Sequence, residues 1–308
     1  MQSGSAAPSA ATPRVPGPDG TSLSAPGGSL LPTLPGAYYT DPGVFAREQE
    51  VIFEGDWLCA ARSADISTPG QFQAVQAGRE SVLVVRQPDG GLNAFLNVCR
   101  HRGTRLCLEE TGATSRYLRC PYHAWSYDLS GRLAAAPNLV KMPDIDRERY
   151  GLIPVALREW LGYIWVCAAA QPPSFEDAVI GDVTARLGSD QAIEAYRIDE
   201  LAVGRRIDYD VAANWKLIIE NFMECYHCAP IHPELTSVLP EFAAGYAAQY
   251  YIGHGAVFAD RAAGFMIDGS AGFGRLPGVT EDQDRRYYAL TIRPQARMSP
   301  GRSSCSTG

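Results

Sequence analysis

Four residues constrain this chain more than any others. They are Cys99 and His101, then, after eighteen intervening residues, Cys120 and His123. Each Cys/His pair is tight enough to sit on one loop tip. Two thiolates and two imidazoles suit either a zinc ion or a [2Fe–2S] cluster in which two Cys hold one iron and two His hold the other. Ligand order separates the two. A Cys₂His₂ zinc site usually presents a Cys pair and then a His pair, closing on one tetrahedral ion. Here each pair mixes Cys with His, so two similar loops can each supply one ligand to each of two irons. Pro121 makes a tight turn and Gly103 permits close backbone approach. The bland alternative is four unrelated buried Cys and His residues. Only five His exist in the chain, and two fall here at matched spacing.

The surrounding text is Cys-Arg-His-Arg-Gly at 99–103 and Cys-Pro-Tyr-His-Ala-Trp at 120–125, followed by Tyr127 and Gly131-Arg132-Leu133. This pattern resembles the Rieske domain of the ring-hydroxylating, non-haem iron oxygenase large subunits. The resemblance implies the cluster, but alone it does not separate an oxygenase from a Rieske electron carrier.

The 308 residues suffice for two domains with a substantial core. Hydrophobic content of 46% and charged content of 20% are those of a globular protein. A net charge of −7 argues against nucleic acid and against a basic membrane-binding face. No apolar run is long enough to span a bilayer. The first twenty residues lack the apolar core of a secretory signal, so a cytoplasmic location is expected. In that reducing setting the eight Cys are read as ligands and free thiols rather than disulfides.

Residues 1–36, rich in Gly, Ser, Ala and Pro, are expected to be disordered. Asp41-Pro42 reads as a helix N-cap with Pro at the first helical position, opening a short helix that ends near Gly55. From Trp57 to Val166 the text predicts short strands: Gln71–Ala77, Ser81–Arg86, Leu92–Val98, Tyr117–Cys120, Trp125–Leu129 and Tyr163–Val166. Residues 37–170 thus form an all-β cluster-binding domain with a leading helix. Pro172-Pro173 marks a boundary. Beyond it, Phe175–Leu187 looks helical, Glu200–Asp210 alternates like a strand, and Asn214–Glu224 repeats apolar residues at helical spacing. Residues 241–290 suggest strands and loops of a half-buried sheet. Tyr287–Ile292 reads as a strand, and the tail 294–308 is polar, small and aperiodic.

A second constellation lies at 214–234, where Glu224, His227 and His232 fall within nine residues and Pro230 and Pro233 break the chain around them. On a straight helix the two His would point about 140° apart. Pro230 cannot continue a helix, so a bend there would return His232 toward His227. Two His and a carboxylate on one face of an ion form the facial triad of non-haem Fe(II) oxygenases. Capping of a helix end is the plainer role for such His residues, but four of the chain's five His fall in the two constellations.

With this segment the resemblance extends over roughly 38–293. It implies an α+β chain: an all-β Rieske domain followed by a helix-grip-like α+β catalytic domain at 171–308, here incomplete. It implies that Cys99, His101, Cys120 and His123 hold a [2Fe–2S] cluster and that His227 and His232 hold a mononuclear Fe(II). Glu224 would be the electron-transfer bridge to a neighbouring subunit's cluster in a homotrimer. Asn221 and Asn214 match positions near the iron. Glu at 224, within Glu-Cys-Tyr-His-Cys, looks like the branch that oxidises choline, glycine betaine and carnitine. The family's third iron ligand, a downstream Asp, is not matched. Asp260, Asp268, Asp282 and Asp284 come too early, and the chain reads as cut short or frame-shifted near Arg293–Gln295.

Of the remaining residues, Cys107, Cys225 and Cys228 read as buried or free thiols and His254 as structural. Tyr226, Tyr250, Tyr251, Phe258 and Phe265 are candidates for an aromatic cage around a quaternary ammonium group. The expected function is an oxygenase component using O₂ and electrons from NAD(P)H, delivered by a separate flavin/iron–sulfur reductase, to hydroxylate or demethylate a small quaternary ammonium compound. The alternatives are an aromatic-ring dioxygenase or demethylase, a Rieske electron carrier, and a structural zinc protein.

Overall fold

The computed structural model describes residues 33–137, 139, 146–187, 190–205, 207–223, 227–244, 256–264, 266, 268–272, 274–287, 296–299 and 302–307. The segment expected to be disordered lies outside them apart from its last four residues.

A short helix α1 (Ala37–Thr40) leads into α2 (Pro42–Glu48). As expected, Asp41 caps α2, its Oδ1 accepting from the backbone of Gly43 at 2.6 Å and Val44 at 3.2 Å, with Pro42 at the first position. α2 runs on into a wider π-helical turn at Gln49–Phe53.

Ten strands follow: β1 (Leu58–Arg62), β2 (Gln71–Ala77), β3 (Glu80–Arg86), β4 (Leu92–Leu96), β5 (Thr111–Ala113), β6 (Tyr117–Arg119), β7 (Ser126–Asp128), β8 (Leu133–Ala135), β9 (Ala156–Trp160) and β10 (Tyr163–Cys167). They form antiparallel sheets ordered β4-β3-β2-β5, β6-β7-β8 and β1-β10-β9. β3 is the hub. Its Val82, Leu83, Val84 and Val85 are all fully buried, because the strand has a core on each face. Leu83 and Val85 pack with Phe95, Leu118, Tyr127 and both cysteines, Cys99 and Cys120. Val82 and Val84 pack with Phe53, Ile66 and Ile164. A strand covered on both sides reads as an unbroken apolar run rather than an alternation.

The linker is stitched back onto this β region. Trp57 Nε1 donates to Pro173 O at 2.8 Å, and Arg62 Nη2 donates to Ile198 O at 2.9 Å and Leu201 O at 2.6 Å. That stitching corrects the strand expected over Glu200–Asp210. The carbonyls of Ile198 and Leu201 accept from a side chain, Ile198–Glu200 is a 3₁₀ turn, and among the described residues of this stretch only β11 (Ile207–Val211) is a strand.

The rest comprises a π-helical turn at Glu176–Ile180 continuing into α3 (Gly181–Leu187), then α4 (Asp190–Glu194), α5 (Trp215–Met223), α6 (Cys228–Ile231) and α7 (Pro233–Val238). In place of a half-buried sheet over 241–290, the described residues hold a two-residue ladder between β12 (Ala256–Val257) and β13 (Arg286–Tyr287), with α8 (Glu281–Asp284) before β13. Of the strand expected at 287–292, only Tyr287 lies among the described residues. The tail is regular where it is described. β14 (Ala296–Ser299) and β15 (Arg302–Thr307) form a hairpin, and β15 pairs along all of β11, from Ile207 opposite Thr307 to Val211 opposite Ser303. Backbone ladders need no apolar alternation, which is why composition did not reveal them. No helix among the described residues is long and apolar enough to cross a membrane.

Candidate metal centres

The two Cys/His loops are built on one plan. In the first, Cys99 N–H donates to Thr104 O at 2.8 Å and Gly103 N–H donates to Cys99 O at 3.0 Å. In the second, Cys120 N–H donates to Trp125 O at 2.8 Å and Ala124 N–H donates to Cys120 O at 3.1 Å. Each loop therefore closes between its Cys and the residues four and five positions on. The fourth residue is left-handed in both, Gly103 at φ 69° and Ala124 at φ 58°. Gly103 takes this conformation without strain. Ala124 accepts a cost of about 1 kcal/mol for its Cβ.

This plan sorts the four side chains by type. Cys99 and Cys120 are buried neighbours at 1% and 3% exposure and form no disulfide. Burial raises the Cys99 thiol, while the Tyr127 hydroxyl and the His101 backbone N–H lower it and Cys120 raises it again. His101 and His123 lie on the exposed side, ring centroids 4.8 Å apart at 74°. His101 is held below its ordinary range by lost hydration first, then by His123 and Arg102. Trp125 stacks on His101 at 4.9 Å with planes 10° apart, and Tyr122 tilts over His123 at 3.7 Å.

Buried Asn97 supports the first loop in a way the motif did not announce. Its Nδ2 donates to Cys107 O at 2.8 Å and its Oδ1 accepts from Cys107 N at 2.9 Å. A buried Asn two residues before Cys99 was the available signal. Two thiols on the inner side and two imidazoles on the outer side form the donor set that a Rieske [2Fe–2S] centre requires, like paired with like.

The second constellation is partly assembled. Asn214 caps α5 through Lys216 N at 3.1 Å, and its Nδ2 donates to Tyr39 O at 3.0 Å, so both ends of its amide are engaged in packing. Asn221 is exposed on α5. Glu224, Cys225 and Tyr226 lie outside the described residues. His227 and His232 come together, ring centroids 5.4 Å apart at 75°. The bend expected at Pro230 is elsewhere. Pro230 sits within the first turn of α6, where its missing N–H costs nothing. The break falls at His232, with φ −126°, because Pro233 opens α7 and disfavours helix in the residue before it.

Among the described residues no third His, Cys, Asp or Glu joins His227 and His232 in a group able to hold a single metal ion. The early Asp residues are engaged nearby: Asp260 with Arg285, Asp268 with Ser270 N, Asp282 with Arg286. Of the proposed aromatic cage, Phe258 is buried core beside Cys228, Val238 and Leu239. Tyr250, Tyr251, Phe265 and His254 lie outside the described residues. Burial pushes the Cys107 thiol up to about 11 and the Cys59 thiol up to about 12, which suits inert core positions.

Comparison with known proteins agrees with both halves. The Rieske [2Fe-2S] domain family matches residues 56–146, and the catalytic domain of the ring hydroxylating alpha subunit family matches 198–303. The glycine betaine monooxygenase oxygenase subunit of Chromohalobacter salexigens is 41% identical over 210 residues, 68% of this chain and 45% of the relative. The carnitine monooxygenase oxygenase subunit of Escherichia coli K12 is 35% identical over 201 residues, 65% of this chain and 52% of the relative. A crystal structure of the quaternary ammonium Rieske monooxygenase CntA with L-carnitine superposes with a TM-score of 0.58 at 33% identity, covering 65% of this chain and 55% of that one. The chain spans about half the length of the curated relatives it matches. Carrying a Rieske domain and, after it, a segment of the ring-hydroxylating catalytic domain, the chain belongs to the Rieske non-haem iron oxygenase alpha subunits.

Proposed function

We propose that this chain is the oxygenase component of a system that hydroxylates a small quaternary ammonium compound at a carbon bonded to the nitrogen. The observation that carries the reading is the pair of matched loops, which gather two buried thiols and two exposed imidazoles in one place. Cys99 and Cys120 would hold one iron of a [2Fe–2S] cluster, and His101 and His123 the other. His227 and His232 would hold the mononuclear Fe(II), with Glu224 bridging to a neighbouring subunit's cluster ligand in a cytoplasmic homotrimer. Together the bound groups would supply one-electron transfer and O₂ activation.

The chain's own residues prepare that chemistry. The exposed imidazoles put the cluster's His side at the surface, where an electron-donor protein can approach. Trp125 fixes the plane of His101, and Tyr127 contacts the Cys99 sulfur. Electrons would come from NAD(P)H through a separate flavin/iron–sulfur reductase. The balance is C–H + O₂ + 2e⁻ + 2H⁺ → C–OH + H₂O. A hydroxylated carbon on a quaternary nitrogen then loses its C–N bond, leaving a tertiary amine and a carbonyl product.

Support for the substrate class comes from the glycine betaine and carnitine relatives and from Glu-Cys-Tyr-His-Cys at 224–228. The test is incubation of the purified chain with reductase, NADH and either trimethylated amines or benzoates, with metabolites and carbonyl release measured. Turnover of the amines alone is expected. Turnover of benzoates alone would move the chain to the aromatic branch. Cluster reduction without turnover of either would reduce it to an electron carrier.

A further inference from the structure

Glu48, at the end of α2, and Lys216, in the first turn of α5, are both nearly closed to solvent, at 9% and 8% exposure. The Lys216 ammonium donates to Glu48 Oε1 at 2.6 Å, and Trp215 Nε1 donates to Glu48 Oε2 at 2.9 Å. Both oxygens of one carboxylate are thus taken by adjacent residues of α5. Tyr39 makes a second tie. Its backbone oxygen accepts from Asn214 Nδ2, its phenol donates to both oxygens of Glu220 at 2.7 and 2.9 Å, and its ring lies 5.7 Å from the Lys216 ammonium. Phe53 meets Trp215 edge to face at 5.4 Å.

These ties grip α5 at its cap, its first turn and its second turn, which fixes both its rotation and its axial position. Apolar packing cannot do so alone, since Leu217 and Phe222 on the same helix are 45% and 59% exposed. A buried ion pair is a poor source of stability compared with apolar residues of the same volume. Its advantage is directional: Glu48 is satisfied in one placement of α5 only. Helix α5 ends at Met223, four positions before His227 in the sequence.

We propose that Glu48 and Tyr39 are positioning residues for the His227–His232 pair, setting the helix from which the mononuclear metal site is hung. The inference rests on the reading of those two His as metal ligands.

The experiment titrates Co(II) into the full chain with its cluster oxidised, and follows affinity and the Co(II) paramagnetic resonance line shape. The variant His227→Ala/His232→Ala defines specific binding. Glu48→Gln is expected to weaken Co(II) about tenfold with an altered line shape, the lower end of what supporting-residue changes cost a metal site, and Tyr39→Phe, which loses one of several ties, about threefold. The cluster's visible spectrum should stay unchanged in both. The double variant Glu48→Gln/Lys216→Met leaves no charge buried alone, so its thermal midpoint should recover while Co(II) affinity stays low.

Unchanged Co(II) binding in Tyr39→Phe and Glu48→Gln overturns the proposal. So does affinity that returns together with the midpoint in the double variant, since the clasp would then serve stability only. If Glu48→Gln does not fold, Tyr39→Phe decides by itself, because it removes one exposed hydroxyl. Wild-type chain that binds no Co(II) through His227 and His232 would overturn the iron-site reading, and the positioning role with it.

Discussion

The phenol oxygen of Tyr127 lies 3.3 Å from Cys99 Sγ and 3.0 Å from the backbone nitrogen of Arg100. The amide can only donate, so the phenol's own hydrogen is available to the sulfur. Tyr127 is fully buried, and burial followed by the Cys99 contact pushes its hydroxyl well up, so it remains a donor. A donor to a cluster sulfur stabilises the reduced, more negative state. Tyr127→Phe should therefore lower the cluster midpoint by roughly 40 mV, taking about 1 kcal/mol for the hydrogen bond and about 59 mV per tenfold for one electron. A potentiometric titration that finds the two midpoints equal would remove Tyr127 from the tuning of the cluster.

The two constellations should be separable by iron counting. On the proposed ligation, His123→Ala or Cys120→Ala would take away one of four cluster donors and should abolish the visible spectrum along with two irons and two sulfides per chain. His227→Ala should leave colour and sulfide intact and remove only the additional iron, where one is bound. Colour that survives in His123→Ala would sink the assignment of the first site.

Sequence reasoning reached the features whose causes are local. The Asp41 cap, the β3 run and the Cys/His loops each depend on residues within a few positions of one another. The spacing of Cys99 to His101 and Cys120 to His123 marked both loop tips. It did not reveal that both close the same way, because that lies in backbone bonds and in the left-handed Ala124, a residue with no turn signature. The misses are long-range. β11 pairs with β15 almost a hundred positions away, Arg62 takes carbonyls from 198 and 201, and Glu48 is matched by Lys216. Each partner is unremarkable by itself, and only the fold brings them together. Pro230 misled because a proline in a helix's first turn costs nothing, whereas His232 is kept out of helix by the proline after it.

An acid-sensitive contact joins the turn after α2 to the β2–β3 hairpin. Glu54 accepts from Arg79 N at 2.9 Å and Nε at 2.7 Å through Oε1, and from Nη2 at 2.8 Å through Oε2. These bonds hold Glu54 below its ordinary value of 4.5, against the opposing effect of burial. A depressed folded value means the contribution is complete above the unfolded value and is lost as pH falls through the folded one. Wild type should lose thermal stability more steeply than Glu54→Gln below about pH 4.5, and Glu54→Gln should be the less stable at neutral pH. Parallel midpoint curves between about pH 3 and 7 would show that the contact carries no linkage.

Gly131 gives a steric test of the core beneath the cluster loops. Its φ is 82°, and a Cβ there would lie 2.4 Å from Phe95 Cε1. Phe95 packs in the same core as Cys99 and Cys120, so it cannot withdraw without disturbing them. The turn around Gly131 is pinned as well: Asp128 Oδ1 accepts from the backbone of Ser130 and Arg132, each at 3.0 Å, and Leu152 N donates to Gly131 O at 2.7 Å. Gly131→Ala should cost about 2–4 kcal/mol, of which about 1 is left-handed strain and the rest overpacking. Gly90→Ala isolates the first part, since Gly90 has φ 86° with nothing within 4 Å of its added Cβ, and it should cost only about 1 kcal/mol. Denaturant midpoints of the cluster-loaded chain measure both. Equal losses at the two positions would mean that Phe95 moves freely, and that the core under the cysteines is looser than its burial implies.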